Sequence, residues 1–257
     1  ADLSFSRDKD DEVTNTFDTY ITPLVPEPEN RNEYNKETDD AYIADLNYVH
    51  PFSKDAKLET GYRGSYKKRD NDYRLDNFDY VNGEYVTNLN SSNRFIYKEQ
   101  INAVYGIYTN QLGDFGFSIG TRVEQTIVKG ELMNNGQTFE RSYIDFFPSA
   151  SISQKLSKSS EVQLSYARRV NRPRSRQLNP FVTISMMGGT NSLSQGNPDL
   201  NPEFTDALEL SYIHYLPFAT ITPTFFYRQT KDQISRSRTL IDSITTLSTF
   251  VNYNKSK

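Results

Sequence analysis

A chain of 257 residues with 35% hydrophobic and 13% aromatic residues, 18 Tyr and 16 Phe but no Trp, has room for one large all-β domain yet little apolar mass for a thick globular core. It contains no Cys, which excludes disulfides and cysteine-based metal sites, and no apolar run of the roughly 18–20 residues that a membrane helix requires. The net charge of −4 is uneven: residues 1–40 carry 12 acids and 4 bases, a balance of −8, which leaves +4 on the remainder. An acidic total, with no recognition-helix pattern beside the arginines, argues against a nucleic-acid partner.

Taken in chain order, the first motif is "RDKDDEV" (7–13), an acidic run without the sharp-turn glycine of a calcium loop, expected to be a solvated loop. From there period-two alternation recurs and helical periodicity is nearly absent. Tyr42, Ala44, Leu46 and Tyr48 share one face; Leu58, Thr60, Tyr62 and Tyr66 oppose Glu59, Arg63 and Ser65. Ile101, Ala103, Tyr105 and Ile107 oppose Asn102, Val104 and Gly106. In "GDFGFSIGTRVE" (113–124), Phe115, Phe117, Ile119, Thr121 and Val123 alternate with Gly116, Ser118, Gly120, Arg122 and Glu124. Ile144, Phe146, Ala150 and Ile152 alternate with Asp145, Ser149 and Ser151; Val162, Leu164 and Tyr166 follow, then Leu208, Leu210 and Tyr212. The last run, Ile221, Phe225 and Tyr227, is interrupted by Pro223, which weakens it as a strand.

The connections alternate as well. Short ones at 51–57, 110–114, 155–160 and 215–219 separate longer polar stretches near 70–93, 130–140, 171–202 and 231–243. Tight turns at one end and long loops at the other is the plan of an outer-membrane barrel, whose strands need only about 9–11 residues to cross. The run from Asp114 to Val128 would extend roughly 50 Å at about 3.3 Å per residue. The implied fold class is all-β, an antiparallel transmembrane β-barrel, with Phe115, Phe117, Ile119 and Val123 toward lipid and the alternate residues toward water.

Several stretches resemble one family. "FIYKEQINAVYGIYTNQLGDFGFSIGTRVEQT", "YIDFFPSASISQKL", "QLSYARRVNRPRSRQLNPF" and "QGNPDLNPEFTDALELSY" are similar, in that order, to the barrel of TonB-dependent receptors, in the branch described as an outer-membrane β-barrel family. The resemblance spans about 40–230. It implies a barrel of about 22 strands with an N-terminal plug inside it, energised through TonB, in the cell outer membrane. About ten strands are counted here, with no plug-like domain, no TonB box and no closing aromatic strand. Residues 1–257 are therefore expected to be an internal barrel segment of a longer receptor, with the plug and terminal strands absent.

On this reading the protein is not an enzyme, needs no cofactor, and imports a scarce nutrient. Its expected partners are outer-membrane lipid and lipopolysaccharide, its own plug domain, TonB and a small nutrient ligand. Strand parity nominates Arg63, Arg122, Glu124, Asp145, Arg168 and Arg169 as lumen-facing ligand candidates. The arginines at 168, 169, 172, 174 and 176 are expected first to pair with lumen carboxylates, a role in holding an anionic ligand or lipopolysaccharide phosphate being the alternative. "GNPDLNPE" (196–203) reads as a rigid corner, or else as a loop folded inward over the substrate chamber. Tyr48, Phe52, Tyr212, Tyr215 and Phe218 suit an aromatic girdle, and His50 and His214 lie beside short turns. No catalytic or metal-binding motif is present in the sequence. Two rival readings are a ten-stranded outer-membrane protease and a soluble β-rich surface or carbohydrate-binding module.

Overall fold

The computed structural model describes residues 1–18, 29–187 and 190–253. One tall antiparallel wall dominates it. Its staves are β1 (Asp2–Asp18), β2 (Glu29–Pro51), β3 (Ala56–Asp79), β5 (Asn93–Leu112), β6 (Phe115–Leu132), β7 (Gln137–Ser157), β8 (Ser160–Asn171) and β11 (Glu203–Tyr215), with β4 (Glu84–Thr87) hairpinned onto the top of β3. A ninth stave is broken: β12 (Thr220–Ile221) and β13 (Thr224–Lys231) both pair with β11 on either side of Pro223. The Pro223 carbonyl still accepts from the Tyr212 amide at 3.1 Å, so the proline costs the ladder its missing donor and little else.

The second layer comes from the long connections. The one between β8 and β11 holds the short helix α1 (Ser175–Leu178), β9 (Val182–Met187) and β10 (Thr190–Gln195). With β14 (Gln233–Leu240) and β15 (Thr245–Tyr253) these strands form a separate sheet, ordered β14-β15-β10-β9, in which β10 and β15 run parallel. This layer defines the inside of the wall. Leu178 and Leu200, 3% and 2% exposed, pack with Phe95, Tyr97, Val128 and Leu132, and Phe139, Phe181, Ile234 and Phe250 close around them. The core therefore sits on the inner face at the long-loop end, where water is displaced from both layers.

Elsewhere, β5 apart, most apolar side chains point away from that layer and stay uncovered. On the outer face Leu46, Val104, Ile119, Ile144, Phe146, Leu208, Leu210 and Phe225 are all exposed. Near the short turns exposed and half-buried rings form a chain: Tyr48 to His50 at 6.1 Å, His50 to Phe52 at 4.7 Å, Phe52 to Tyr108 at 6.1 Å and Tyr108 to Phe117 at 5.9 Å. Tyr212, Tyr215 and Phe218 are exposed beside another short turn. A band of bare aliphatic side chains edged by rings is suited to hydrocarbon, with the rings at the interface.

The short connections fold as tight turns. In the first, the Ser53 hydroxyl accepts from the Asp55 and Ala56 amides at 3.2 and 3.0 Å; in the second, Gly113 takes φ +61°. At the opposite end, beyond any membrane band, Asp79 ends β3. The Asn82 side-chain amide, then the Val81 and Asn82 backbone N–H groups, hold its carboxylate below the usual range.

Three expectations need correction. The strands run far beyond their apolar stripes: β3 continues through Asp79 in place of a loop at 70–93, 133–136 is a tight turn, and 233–240 is strand. Outside the lipid both faces of a strand meet water, so the apolar signal fades while the hydrogen-bond ladder continues. The acidic run 7–13 lies inside β1, not in a loop. Finally, the apolar stripe of β5 is turned inward. Ala103 pairs with Arg63 on one side and Glu124 on the other, which sets Ile101, Ala103, Tyr105 and Ile107 on the inner face and Val104 and Tyr108 outside. The neighbours' registers decide the face of a strand whose own two sides differ little in polarity.

Candidate functional site

The inner face is polar from the short turns up to the core. Near the turns it presents Thr109, Gln111, Ser118, Ser151, Gln163 and Ser165 around a depression of about 360 Å³. Charge begins one tier higher. Arg63, Ala103, Glu124 and Asp145 are successive register partners across β3, β5, β6 and β7, so three of the parity-nominated side chains share one inner row. Arg63 leans toward Asp45 at 3.7 Å. Arg122, one step closer to the turns on the same face, hydrogen-bonds Glu124.

Glu124 also accepts from Arg172, which enters from the chain beyond β8. Glu124 is 7% exposed, so one carboxylate is buried between two guanidinium groups, a charge-assisted arrangement that compensates the cost of its desolvation. This pairing moors the start of α1 against the wall. Arg69 adds a second mooring: its Nε donates to Asp39 Oδ1 at 2.7 Å, and its Nη1 reaches the Ser175 hydroxyl at 3.3 Å.

Arg168 and Arg169, being consecutive, point to opposite faces of β8. Pairing with β7 ends at Ser149 opposite Ala167, and above that point β8 continues paired only with β11, whose other edge carries β13. Arg168 lies 5.2 Å over the Phe204 ring and 3.8 Å from Asp206, and Phe204 in turn stacks on Phe147 at 6.5 Å. Arg169 is exposed and, among the described residues, makes no ion pair. The six nominees therefore do not form one cluster: Arg63, Arg122, Glu124 and Asp145 line the inner wall together, while Arg168 and Arg169 diverge. His50 and His214 stay at the short-turn end, His50 hydrogen-bonded to Tyr48 at 3.1 Å and His214 stacked on Tyr212 at 6.2 Å.

The segment "GNPDLNPE" is both a corner and an inward fold. Arg141 grips it, donating to the carbonyls of Pro198 and Leu200 and, at 2.7 Å, to Asn201 Oδ1. The Gly196 amide donates to the Asn179 carbonyl at 2.9 Å, and a Cβ on Gly196 would stand 2.5 Å from that oxygen and 2.7 Å from the Gln177 carbonyl. Both obstacles are backbone and cannot swing aside. Gly196→Val is expected to unseat the corner, read out as faster trypsin cleavage after Arg174 and Arg176 with the wall strands still protected.

Between residues 170–175, which lead from β8 into α1, and the wall lies the main polar cavity, about 720 Å³, lined by Asp39, Lys67, Arg69, Glu99, Arg172 and Arg174 among others. Its floor is Tyr97, above the apolar band; burial, then the Glu99 carboxylate, push its phenol up, so it stays a neutral donor to Glu99 at 3.1 Å. Lys67, Arg69, Tyr97, Glu99 and Arg172 were not among the parity nominees. They stand on stretches where both faces are polar, or beyond a strand's end, where alternation carries no direction.

Comparison with known proteins follows the same lines. The copper transporter OprC matches with a TM-score of 0.63 at 14% identity, over 97% of this chain and 39% of that one. The ferric-catecholate import receptor Fiu from K12 E. coli matches at 0.57 and 14%, over 97% and 39%. The ferric citrate transporter FecA matches at 0.55 and 10%, over 90% and 32%. At these identities the likeness is one of fold, and the chain spans well under half of each structure. No curated protein matches. The family model described as "Outer membrane protein beta-barrel family" matches residues 1–257. An open antiparallel wall, lipid-suited outside and charged inside, agrees with that match: the chain belongs to the outer membrane protein beta-barrel family and resides in the outer membrane.

Proposed function

We propose that this chain is a wall segment of an outer-membrane active transporter that captures a small, scarce nutrient from outside and admits it with energy delivered through TonB. The observation that carries this reading is the 720 Å³ cavity between the inner wall and residues 170–175, with cations and carboxylates interleaved around it. Such a surface can hold a polar ligand by forked, charge-assisted hydrogen bonds and supplies no chemistry to alter it. The names of the similar structures, a copper transporter, a ferric-catecholate import receptor and a ferric citrate transporter, support a small charged or chelated cargo. On this reading the protein acts as a transporter, not as an enzyme.

The test uses the full-length protein in its own outer membrane. Lys67→Gln combined with Arg174→Gln removes two cavity cations that make no salt bridge among the described residues and spares the Glu124 mooring. Uptake of the nutrient that supports receptor-dependent growth is expected to fall at least tenfold while the folded barrel persists on unheated gels. Unchanged uptake would remove the cavity from the ligand path.

A further inference from the structure

The charges around the polar cavity separate into two ends once the engaged ones are set aside. Arg69 is held by Asp39 at 2.7 Å and leans toward Glu37 at 3.5 Å, and Asp40 is held by Arg7 at 2.6 and 3.0 Å. Arg172 is held by Glu124, although its Nε is buried without a hydrogen-bond partner. Apart from Glu99, which accepts from the Tyr97 hydroxyl at 3.1 Å, the lining charges that form no salt bridge among the described residues are Asp8, Lys67, Lys68 and Arg174.

The acid is at one end. Asp8 stands on β1 and its register partner is Asp39 on β2, which in turn pairs with Arg69 on β3. Asp10 and Glu12 follow Asp8 on the same face of β1, and Asp10 is the register partner of Glu37. Two like-charge pairs thus lie directly opposite each other across the β1–β2 ladder, an unfavourable arrangement that the lone Arg69 guanidinium relieves on the β2 side only. The cations are at the other end: Lys67 on β3, and Arg174 on the turn into α1, which the Arg69 contact to Ser175 at 3.3 Å draws onto β3. β1 and β3 are two strand spacings apart, about 10 Å. The lining also includes the apolar Ile101, Val170 and Pro173.

Taking the cavity as the ligand site, the reading on which this rests, we infer that its cargo is a short peptide of two or three residues with free ends. Its ammonium group meets Asp8, and its terminal carboxylate accepts from Lys67 and Arg174. An extended tripeptide spans about 10 Å, the separation of the two ends of the cavity. The apolar lining suits an uncharged side chain in the middle. Each end also excludes: a purely anionic ligand satisfies the cations and is repelled by the β1 acids, and a purely cationic one meets the reverse. Charge-assisted bonds at both ends select the zwitterion.

The experiment is isothermal titration of the full-length protein in detergent, at low ionic strength, with the tripeptide Ala-Leu-Ala, its N-acetylated form and its C-amidated form. The free tripeptide is expected to bind about tenfold tighter than either capped form, the loss expected for one charge-assisted bond. Asp8→Asn should weaken the free tripeptide about tenfold and leave the N-acetylated form unchanged. Lys67→Gln with Arg174→Gln should weaken it similarly and leave the C-amidated form unchanged, because each substitution and each cap remove the same interaction. Heat-dependent gel mobility confirms folding, and the comparison of free with capped peptides on the parent protein needs no variant. Equal binding of free and capped peptides overturns the assignment, as does tighter binding of citrate, which would mark a polyanion site. Absent peptide binding, with nutrient uptake still lost in the Lys67→Gln, Arg174→Gln protein, overturns the peptide alone; unchanged uptake removes the cavity itself from the ligand path and the peptide with it.

Discussion

Glu124→Ala is expected to cost about 3–5 kcal/mol of barrel stability, the range for removing one partner of a buried ion pair and leaving the other stranded. Glu124 is 7% exposed and accepts from both Arg122 and Arg172. Its removal leaves two guanidinium groups facing each other on the inner wall, and it frees the segment that carries α1. Because the chain has no Trp, the readout is circular dichroism during urea unfolding in detergent, together with trypsin sensitivity after Arg174 and Arg176. The double change Glu124→Gln with Arg172→Met should be milder than Glu124→Ala alone, since it removes both members of the pair. A single variant as stable and as protected as the parent would mean the network is incidental.

The second large effect contrasts two neighbouring residues. Ile119 is 59% exposed on the outer face, while Ser118 beside it points inward and its hydroxyl meets Thr109 at 3.1 Å. Arginine at a lipid-facing position near the bilayer middle costs about 2–4 kcal/mol, whereas a lumen position tolerates charge. Ile119→Arg is therefore expected to abolish most folding into vesicles, and Ser118→Arg to leave the folded yield near that of the parent. Equal yields would mean the outer band does not meet hydrocarbon, and the wall would have to be read the other way round.

Much of this architecture is legible in the residues. The alternation of Phe115, Phe117, Ile119 and Val123 with Ser118, Arg122 and Glu124 contains the strand, its faces and their separate solvents. The short connections near 51–57, 110–114, 155–160 and 215–219 are tight turns. Pro223 marks the broken stave. The inner row is less legible. Parity places Arg63, Glu124 and Asp145 on a face but not at a height, and only the pairings with Ala103 and with each other bring them abreast. Arg172, Arg141 and Leu200 lie at or beyond places where alternation lapses, and their roles in mooring the inward segment carry no periodic signature. The inward stripe of β5 shows the same limit from the other side.

The sequence by itself determined that long antiparallel strands form and which side of most of them seeks hydrocarbon, because a period of two is a local property of extended backbone. The tertiary structure alone decided which strands lie side by side, how high each charge stands, and that residues 170–175 turn over the wall to make a cavity. Those outcomes depend on hydrogen-bond register between segments far apart in the chain and on the burial of Leu178 and Leu200 against Phe95 and Val128. No local pattern encodes either.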